Sequence, residues 1–158
     1  MAFVPDLELI EHRLPAGVSR YQWQPYDRDD GFTYDWWNRM WDLGRRYSLW
    51  SVLEDGVEVA RIELDQEVHY DHYNGVPYLG PNVLEVDFFE VFSAVRGRGV
   101  GRAALELVAE CNPGRRLVAF SEQSDGFWAG LGWGRYDHPD GFPSYRPFFV
   151  APEGWPAR

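Results

Sequence analysis

Hydrophobic and polar positions alternate along much of the N-terminal half of the chain, as they do in half-buried β-strands. Two alternating stretches, residues 47–54 and 57–64, flank Asp55-Gly56. Asp-Gly between such stretches predicts a two-residue hairpin, because a type I′ turn needs positive φ at both central positions. Residues 6–14 and 18–24 alternate in the same way and are also predicted to be strands.

The second half of the chain mixes strand-like and helix-like patterns. Residues 83–92 are dense in β-forming side chains and predict a buried strand, while residues 99–111 carry an apolar helical stripe that ends at Asn112-Pro-Gly114. Residues 66–82 have no period and predict a long, substrate-facing loop. Further predicted elements are helices at 30–46 and 125–131 and strands at 117–121, 134–137 and 145–150. This order predicts a mixed α/β layer fold.

Length and composition narrow the class of protein. A chain of 158 residues predicts a single domain over residues 1–158. The net charge is −10, which argues against general nucleic-acid binding, and all 15 basic residues are arginine, which excludes P-loop and Schiff-base lysines. No apolar run is long enough to cross a bilayer, and the first residues lack a signal pattern. With one cysteine, Cys111, which we expect to be buried, these features predict a cytoplasmic protein.

Candidate chemistry concentrates where the strand at 83–92 meets the helix at 99–111. The junction reads Arg96-Gly97-Arg98-Gly99-Val100-Gly101. Amides at a helix N-terminus lack intrahelical partners, and glycines allow close approach, so this loop predicts a phosphate or pyrophosphate site. The alternative is a glycine-rich turn with solvated arginines. A dinucleotide-binding domain is excluded because only 36 residues follow Glu122, too few for its later βα units.

The junction resembles the acyl-CoA signature of the GCN5-related N-acetyltransferases (GNATs), R-x-x-G-x-G after a strand. A longer family pattern, V-x-P-x-x-R-G-x-G-[IV]-G, is met from Val91 to Gly101, with Ser93 in the place of proline. A second family motif, F-Y-x-x-x-G-F, is similar to Phe127-Trp128-Ala-Gly-Leu-Gly132-Trp133. The resemblance at residue level covers about residues 84–133.

The resemblance implies an α/β (α+β type) GNAT fold: one mixed, largely antiparallel sheet of six to seven strands, flanked by about four helices and splayed between its central strands. It also implies acetyl-CoA as co-substrate, no metal, and direct acetyl transfer to a primary amine. Loop amides would hold the pyrophosphate, backbone groups at the end of the strand would pair with the pantetheine arm and polarise the thioester carbonyl, and an aromatic ring would pack on the coenzyme. The implied coenzyme residues are Val91, Phe92, Arg96, Gly97, Arg98, Gly99, Val100, Gly101, Arg102 and Phe127.

Two carboxylates are candidates for the general base. Glu85 precedes Arg96 by eleven residues, where histone-acetyltransferase-like members carry their catalytic glutamate, and Asp87 follows on the same face of the strand. Neighbouring carboxylates raise one pKa toward neutrality. Alternatively, both lie on a solvated face. Trp128 stands where the family has its acidic tyrosine, and an indole N–H does not protonate a thiolate. That leaves Tyr136, Tyr145, water or an unprotonated leaving group.

Other features concern partners. The acidic residues around the predicted opening would attract a cationic amine, either a small molecule or a peptide. Trp36, Trp37 and Trp41 are predicted core residues, with one of them a possible substrate wall. His69 and His72 are interpreted as structural or solvated. A homodimer through the C-terminal strands is possible. Two other functions remain open: a non-catalytic acyl-CoA-binding or sensor protein, and a partner-binding protein with a vestigial site.

Overall fold

Seven strands form one mixed sheet in the computed structural model, which describes residues 5–37 and 46–156. The strands are β1 (Leu7–His12), β2 (Tyr47–Glu54), β3 (Val57–Asp65), β4 (Val83–Val91), β5 (Arg116–Phe120), β6 (Gly134–Tyr136) and β7 (Phe148–Val150). They lie in the order β1-β2-β3-β4-β5-β7-β6, and only the β4–β5 pair is parallel. The helices are α1 (Val100–Cys111), α2 (Asp125–Gly130) and two 3-10 turns at Tyr34–Trp36 and Ser93–Val95.

The strand count and mixed topology agree with the predicted fold, and the helix count does not. Two α-helices are found in the described part of the chain, against about four predicted. Residues 18–24 form turns rather than a strand. The predicted helix at 30–46 is a single 3-10 turn where it is described, and residues 38–45, including Trp41, lie outside the described residues. Between residues 30 and 37, Phe32 and Trp37 are each buried against the sheet. This burial does not require the regular spacing of a helix.

The β2–β3 hairpin confirms the prediction from Asp55-Gly56. Asp55 and Gly56 have φ of 51° and 78°, the two positive values that a type I′ turn requires. β2 and β3 then pair along their whole length. This hairpin, with β1 added at its edge, forms the antiparallel half of the sheet.

The sheet opens between β4 and β5. These strands pair only from Val83 to Glu85, opposite Arg116 to Val118, and then part. On its other side, β4 changes register against β3: Val86 pairs with Leu64 and Phe88 with Glu63, so Asp87 is an extra, bulged residue. A bulge increases local twist and redirects side chains. The predicted splay between the central strands is therefore present, and Asp87 lies where it begins.

The hydrophobic core occupies both faces of the sheet. On one face, α1 and α2 cover Leu84 and Val86 of β4. On the other face, residues from the N-terminal segment, among them Tyr26, Phe32 and Trp37, cover the antiparallel half. The predicted loop at 66–82 contains no strand or helix and packs beside β5 and β7, where Tyr70 stacks on Phe148 with ring centroids 5.3 Å apart.

The N-terminal segment is fixed to β4 by the buried carboxylate of Glu90. Its two oxygens accept hydrogen bonds from the Thr33 amide at 2.8 and 3.0 Å, from the Thr33 hydroxyl at 2.6 Å and from Trp37 Nε1 at 2.9 Å. Bonds to a charged acceptor are stronger than neutral ones. This network holds the intervening Trp36 against the opening of the sheet.

Two further expectations can be compared with the fold. Cys111 is exposed, which corrects the prediction that it is buried. It is the last residue of α1 and lies beyond Val108, the last buried residue of that helix. Across the described residues, no helix has the length and apolar character needed to span a membrane.

Candidate active site

A cavity of about 760 Å³ lies on the α1 side of the splay. The loop before α1 forms one wall, and Gly97 and Gly99 both have φ of 81°, the left-handed region that favours glycine. Gly99 is also the residue that precedes the first turn of α1. The backbone conformation therefore requires glycine at these two positions. The first amides of α1, which lack intrahelical partners, belong to residues that line the cavity.

Eight of the ten predicted coenzyme residues line this larger cavity. They are Val91, Arg96, Gly97, Gly99, Val100, Gly101, Arg102 and Phe127. Arg98 lies outside the lining, with its guanidinium 3.2 Å from a carboxylate oxygen of Glu54 in β2. Phe92 also lies outside it, and its ring packs on Phe32 across the sheet, with centroids 5.4 Å apart.

Backbone directions at the end of β4 explain why Phe92 does not fit its predicted role. The Phe92 amide donates to the Val59 carbonyl of β3 at 2.8 Å, so it points away from the cavity. In an antiparallel pair the backbone groups of successive residues point to opposite edges. Val91 and Phe89 therefore direct theirs toward the splay, and the Val91 carbonyl accepts a bond from Arg96 Nε at 3.0 Å. Phe89, which the sequence analysis did not name, lines the cavity, and Phe92 does not.

The arginines near the loop divide into two groups. Arg96 and Arg102 line the cavity, and Arg102 also donates to the Gly130 carbonyl at the end of α2, at 2.6 Å. Arg115 and Arg116 follow α1 and donate to the backbone carbonyls of residues 82, 83 and 151. The second pair therefore ties the chain after α1 to neighbouring backbone and does not line the cavity beside the glycine loop.

Gly101 allows an aromatic side chain to close the larger cavity. A Cβ at residue 101 would lie 2.9 Å from Phe127 Cε1 and 3.6 Å from Phe89 Cε1. The rings of Phe127 and Phe89 stack with centroids 5.9 Å apart, across the gap between α2 and β4. A Cβ at residue 101 would force the Phe127 ring to move, while its distance to Phe89 is an ordinary van der Waals contact.

A second cavity of about 290 Å³ continues from the first at the point where β4 bulges. Trp36, Phe89, Ser124 and Trp128 line both cavities. Trp37 is 3% exposed in the core, so among the described tryptophans of this segment it is Trp36 that forms a cavity wall. The rest of the smaller cavity is lined by Val86, Asp87, Phe88, Phe120, Glu122 and Arg146.

Of the two candidate bases, Asp87 reaches the smaller cavity and Glu85 is buried beside it. Carboxylate oxygens of Asp65, Glu85 and Asp87 lie within 4.8 Å of one another. Burial raises the pKa of Glu85 to about 9, assisted by the charge of Asp87, a hydrogen bond to Asp87 and the charge of Asp65. At neutral pH Glu85 is therefore protonated, and its carboxyl group forms a hydrogen bond with the side chain of Asp87.

This raised pKa predicts a pH-dependent stability that Glu85→Gln removes. Glu85 is charged above pH 4.5 in the unfolded chain and only above about 9 in the folded one, so its contribution to folding falls between those values. The limiting slope is about 1.4 kcal/mol per pH unit. We expect little difference between variant and wild type near pH 5 and a growing advantage for Glu85→Gln toward pH 9, measured by urea unfolding. The exposed Glu8→Gln is the control, and parallel slopes for Glu85→Gln and wild type would contradict the assignment.

The side chains proposed to replace the family tyrosine do not reach either cavity. Tyr145 stacks on His138 with ring centroids 3.5 Å apart, and Tyr136 packs beside Phe148. Trp128 is 5% exposed and lines both cavities, but its indole N–H is not an acid that could replace the tyrosine. Within the described residues, the one group of three or more close metal-ligand types is the carboxylate trio, which includes neither His69 nor His72.

Comparison with known proteins assigns this arrangement to a family. The model of the acetyltransferase (GNAT) family matches residues 7–133. The chain belongs to the GNAT family. The match includes β4, the glycine loop, α1 and the motif that begins at Phe127, the same elements that build both cavities.

Solved GNAT structures share the fold at low sequence identity. An acetyltransferase from Thermus thermophilus is 17% identical with a TM-score of 0.52, over 70% of this chain and 67% of its own. The N-acetyltransferase YlbP of Bacillus subtilis, solved with coenzyme A, is 20% identical with a TM-score of 0.50, over 66% and 68%. The putative N-acetyltransferase YhhK of E. coli, bound to coenzyme A, is 14% identical with a TM-score of 0.52, over 92% and 99%. Among curated proteins, none matches the sequence.

Proposed function

We propose that this GNAT protein transfers acetyl from acetyl-CoA to a primary amine of a cationic small molecule or peptide. The observation that carries the proposal is the meeting of two cavities at the splay between β4 and β5. The larger is bounded by the glycine loop, and the smaller contains Asp87. A thioester entering from one side and an amine from the other would meet beside Phe89 and Ser124, which line both. Such alignment lowers the activation free energy by several kcal/mol.

The coenzyme half of the proposal uses mostly backbone groups. Amides of residues 97–101 are placed to bind the pyrophosphate, and Arg96 and Arg102 add positive charge at the same wall. The outward backbone groups of Phe89 and Val91 would pair with the pantetheine arm. Family membership and two coenzyme A-bound structures of the same fold support this assignment.

The acceptor half depends on charge and on aromatic walls. Glu122 and Arg146 of the smaller cavity pair with each other at 3.1 Å, so Asp87 contributes the negative charge there that would favour a positively charged amine. Trp36, Phe88 and Phe120 present ring faces or edges, and cations are attracted to aromatic faces. Asp87 would take the ammonium proton, while Glu85, acting as a positioning residue, keeps its own proton and donates a hydrogen bond that holds Asp87 in place.

One observation favours the non-catalytic alternative. The aromatic ring of Trp128 occupies the place of the family's acidic tyrosine, and a protein that only senses acyl-CoA needs no proton donor there. A partner-binding protein with a vestigial site would bind no acyl-CoA at all. Ligand-dependent unfolding and product release separate the three functions.

The experiment combines thermal unfolding with an assay for released thiol. Acetyl-CoA at a hundred times its Kd should add about 2.7 kcal/mol of stability, and absence of any shift would leave only the partner-binding function. Free coenzyme A is then measured with polyamines, aminoglycoside-like amines, basic peptides and anionic amino acids as acceptors. We expect release with the cationic classes. Binding without release from any amine would favour the sensor, and acetylation of only the anionic acceptors would overturn the charge argument.

A further inference from the structure

Ser124 is the described residue at the junction of the two cavities whose side chain can both accept and donate a proton. Of the four residues that line both, Phe89 is apolar, and Trp36 and Trp128 offer only an indole N–H. A hydroxyl has one proton to give and two lone pairs to receive one. Ser124 therefore has the chemistry for which the family uses its tyrosine, at a position that no family motif quoted above assigns.

Hydrogen bonds fix the backbone around Ser124, while its hydroxyl group makes no cap bond and is part of the cavity wall. Ser124 precedes α2 but makes no side-chain cap bond to that helix. Its amide donates to the Oγ of Ser121, a residue 1% exposed, at 3.0 Å. Its own Oγ donates to the neighbouring Glu122 carbonyl at 3.1 Å. Rotation about the Cβ–Oγ bond redirects that proton, so the hydroxyl group of Ser124 is available for proton transfer while its backbone stays fixed.

We propose that Ser124 relays a proton from the attacking amine to the departing thiolate. The neutral amine attacks the thioester carbonyl, the C–N bond forms, and the nitrogen of the tetrahedral intermediate carries an excess proton. As the C–S bond breaks, Ser124 Oγ takes that proton and gives its own to the sulfur, which leaves as coenzyme A thiol. Serine is unchanged at the end. The proton that Asp87 took to make the amine neutral passes to solvent, so each cycle yields the amide, coenzyme A thiol and one released proton.

The test rests on the proposed function and uses the full chain with acetyl-CoA and its best amine acceptor. We expect Ser124→Ala to lower kcat by about 10- to 100-fold, at the lower end of proton-transfer effects. The Kd of acetyl-CoA, read from its shift in unfolding temperature, should stay within about twofold. Ser124→Thr, which keeps the hydroxyl, should restore most of kcat, and the exposed Ser144→Ala is the control outside both cavities.

A solvent isotope measurement distinguishes a relay from a structural role. In mixtures of H₂O and D₂O, kcat of the wild type should depend non-linearly on the deuterium fraction, because two protons move together. Ser124→Ala should show a linear dependence. An active wild type whose kcat survives Ser124→Ala, or the same curvature in both proteins, would overturn the relay and leave the transferase standing. A wild type that binds acetyl-CoA yet acetylates no amine would overturn the proposed function itself.

Discussion

Asp87→Asn should lower kcat by at least about 100-fold, the lower range of general-base effects, while the Kd of acetyl-CoA hardly changes. The substitution keeps the size of the side chain and removes the charge that the smaller cavity presents to the acceptor. An ammonium group bound there would keep its proton, and a protonated amine does not attack a thioester. The measurement is steady-state release of coenzyme A between about pH 6 and 9, with Kd from ligand-dependent unfolding.

The control for this variant is Asp137→Asn. Asp137 is exposed, lies outside both cavities and pairs with Arg135, so the control removes the same charge from the same protein. An equal loss of activity in both variants would mean that overall charge, and not the local carboxylate, controls the rate. If Asp87→Asn keeps full activity at all pH values, the proton must leave by another route and Asp87 is not the base.

The double substitution Gly97→Ala/Gly99→Ala should weaken acetyl-CoA binding by at least about 100-fold, or about 2.7 kcal/mol. Both glycines have φ of 81°, where a Cβ costs about 1–2 kcal/mol at each residue. Neither Cβ would meet another atom within 4 Å, so the loop relieves the strain by changing conformation. Its amides then no longer converge on one anion, and each charged hydrogen bond lost costs about 1.5–3 kcal/mol.

The chain provides a matched control for backbone strain. Gly17 and Gly56 have φ of 77° and 78°, also have open space at the Cβ position, and lie outside the larger cavity. Gly17→Ala/Gly56→Ala should therefore lower the unfolding temperature about as much and leave the acetyl-CoA shift intact. If both double variants lost acetyl-CoA binding equally, the cause would be general destabilisation. If Gly97→Ala/Gly99→Ala kept its binding, the loop would not be the anion site.

Local patterns were sufficient to predict the parts of the site that depend on backbone conformation. Asp55-Gly56 specified a hairpin, and the glycines of the Gly97–Gly101 loop specified a left-handed turn into α1, because few other residues tolerate positive φ. The edge of β4 toward which each residue directs its backbone groups was predicted less well. Phe92 was placed at the coenzyme and Phe89 was overlooked, since the sequence does not reveal which edge of β4 remains unpaired.

The remaining errors have tertiary causes. Residues 18–24 alternate in polarity as a strand does, but β1 already occupies the position beside β2 in the sheet. The segment instead leads onto the face of the sheet that α1 does not cover, where Tyr26 is buried. Glu85 and Asp87 were predicted to share one face and do so. Their unequal access to the cavity follows from the bulge in β4, which leaves no distinctive mark in a stretch already rich in β-formers.

The bulge at Asp87 also means that the pairing of β3 with β4 does not depend on this residue. Val86 and Phe88 pair with consecutive residues of β3, so the ladder would close in regular register if residue 87 were simply absent. Every flanking side chain of β4 would keep its face, while the carboxylate that β4 contributes to the smaller cavity would disappear. On the proposed function, the general base is therefore an inserted residue, which a relative could lose in one codon while keeping the strand pairing around it.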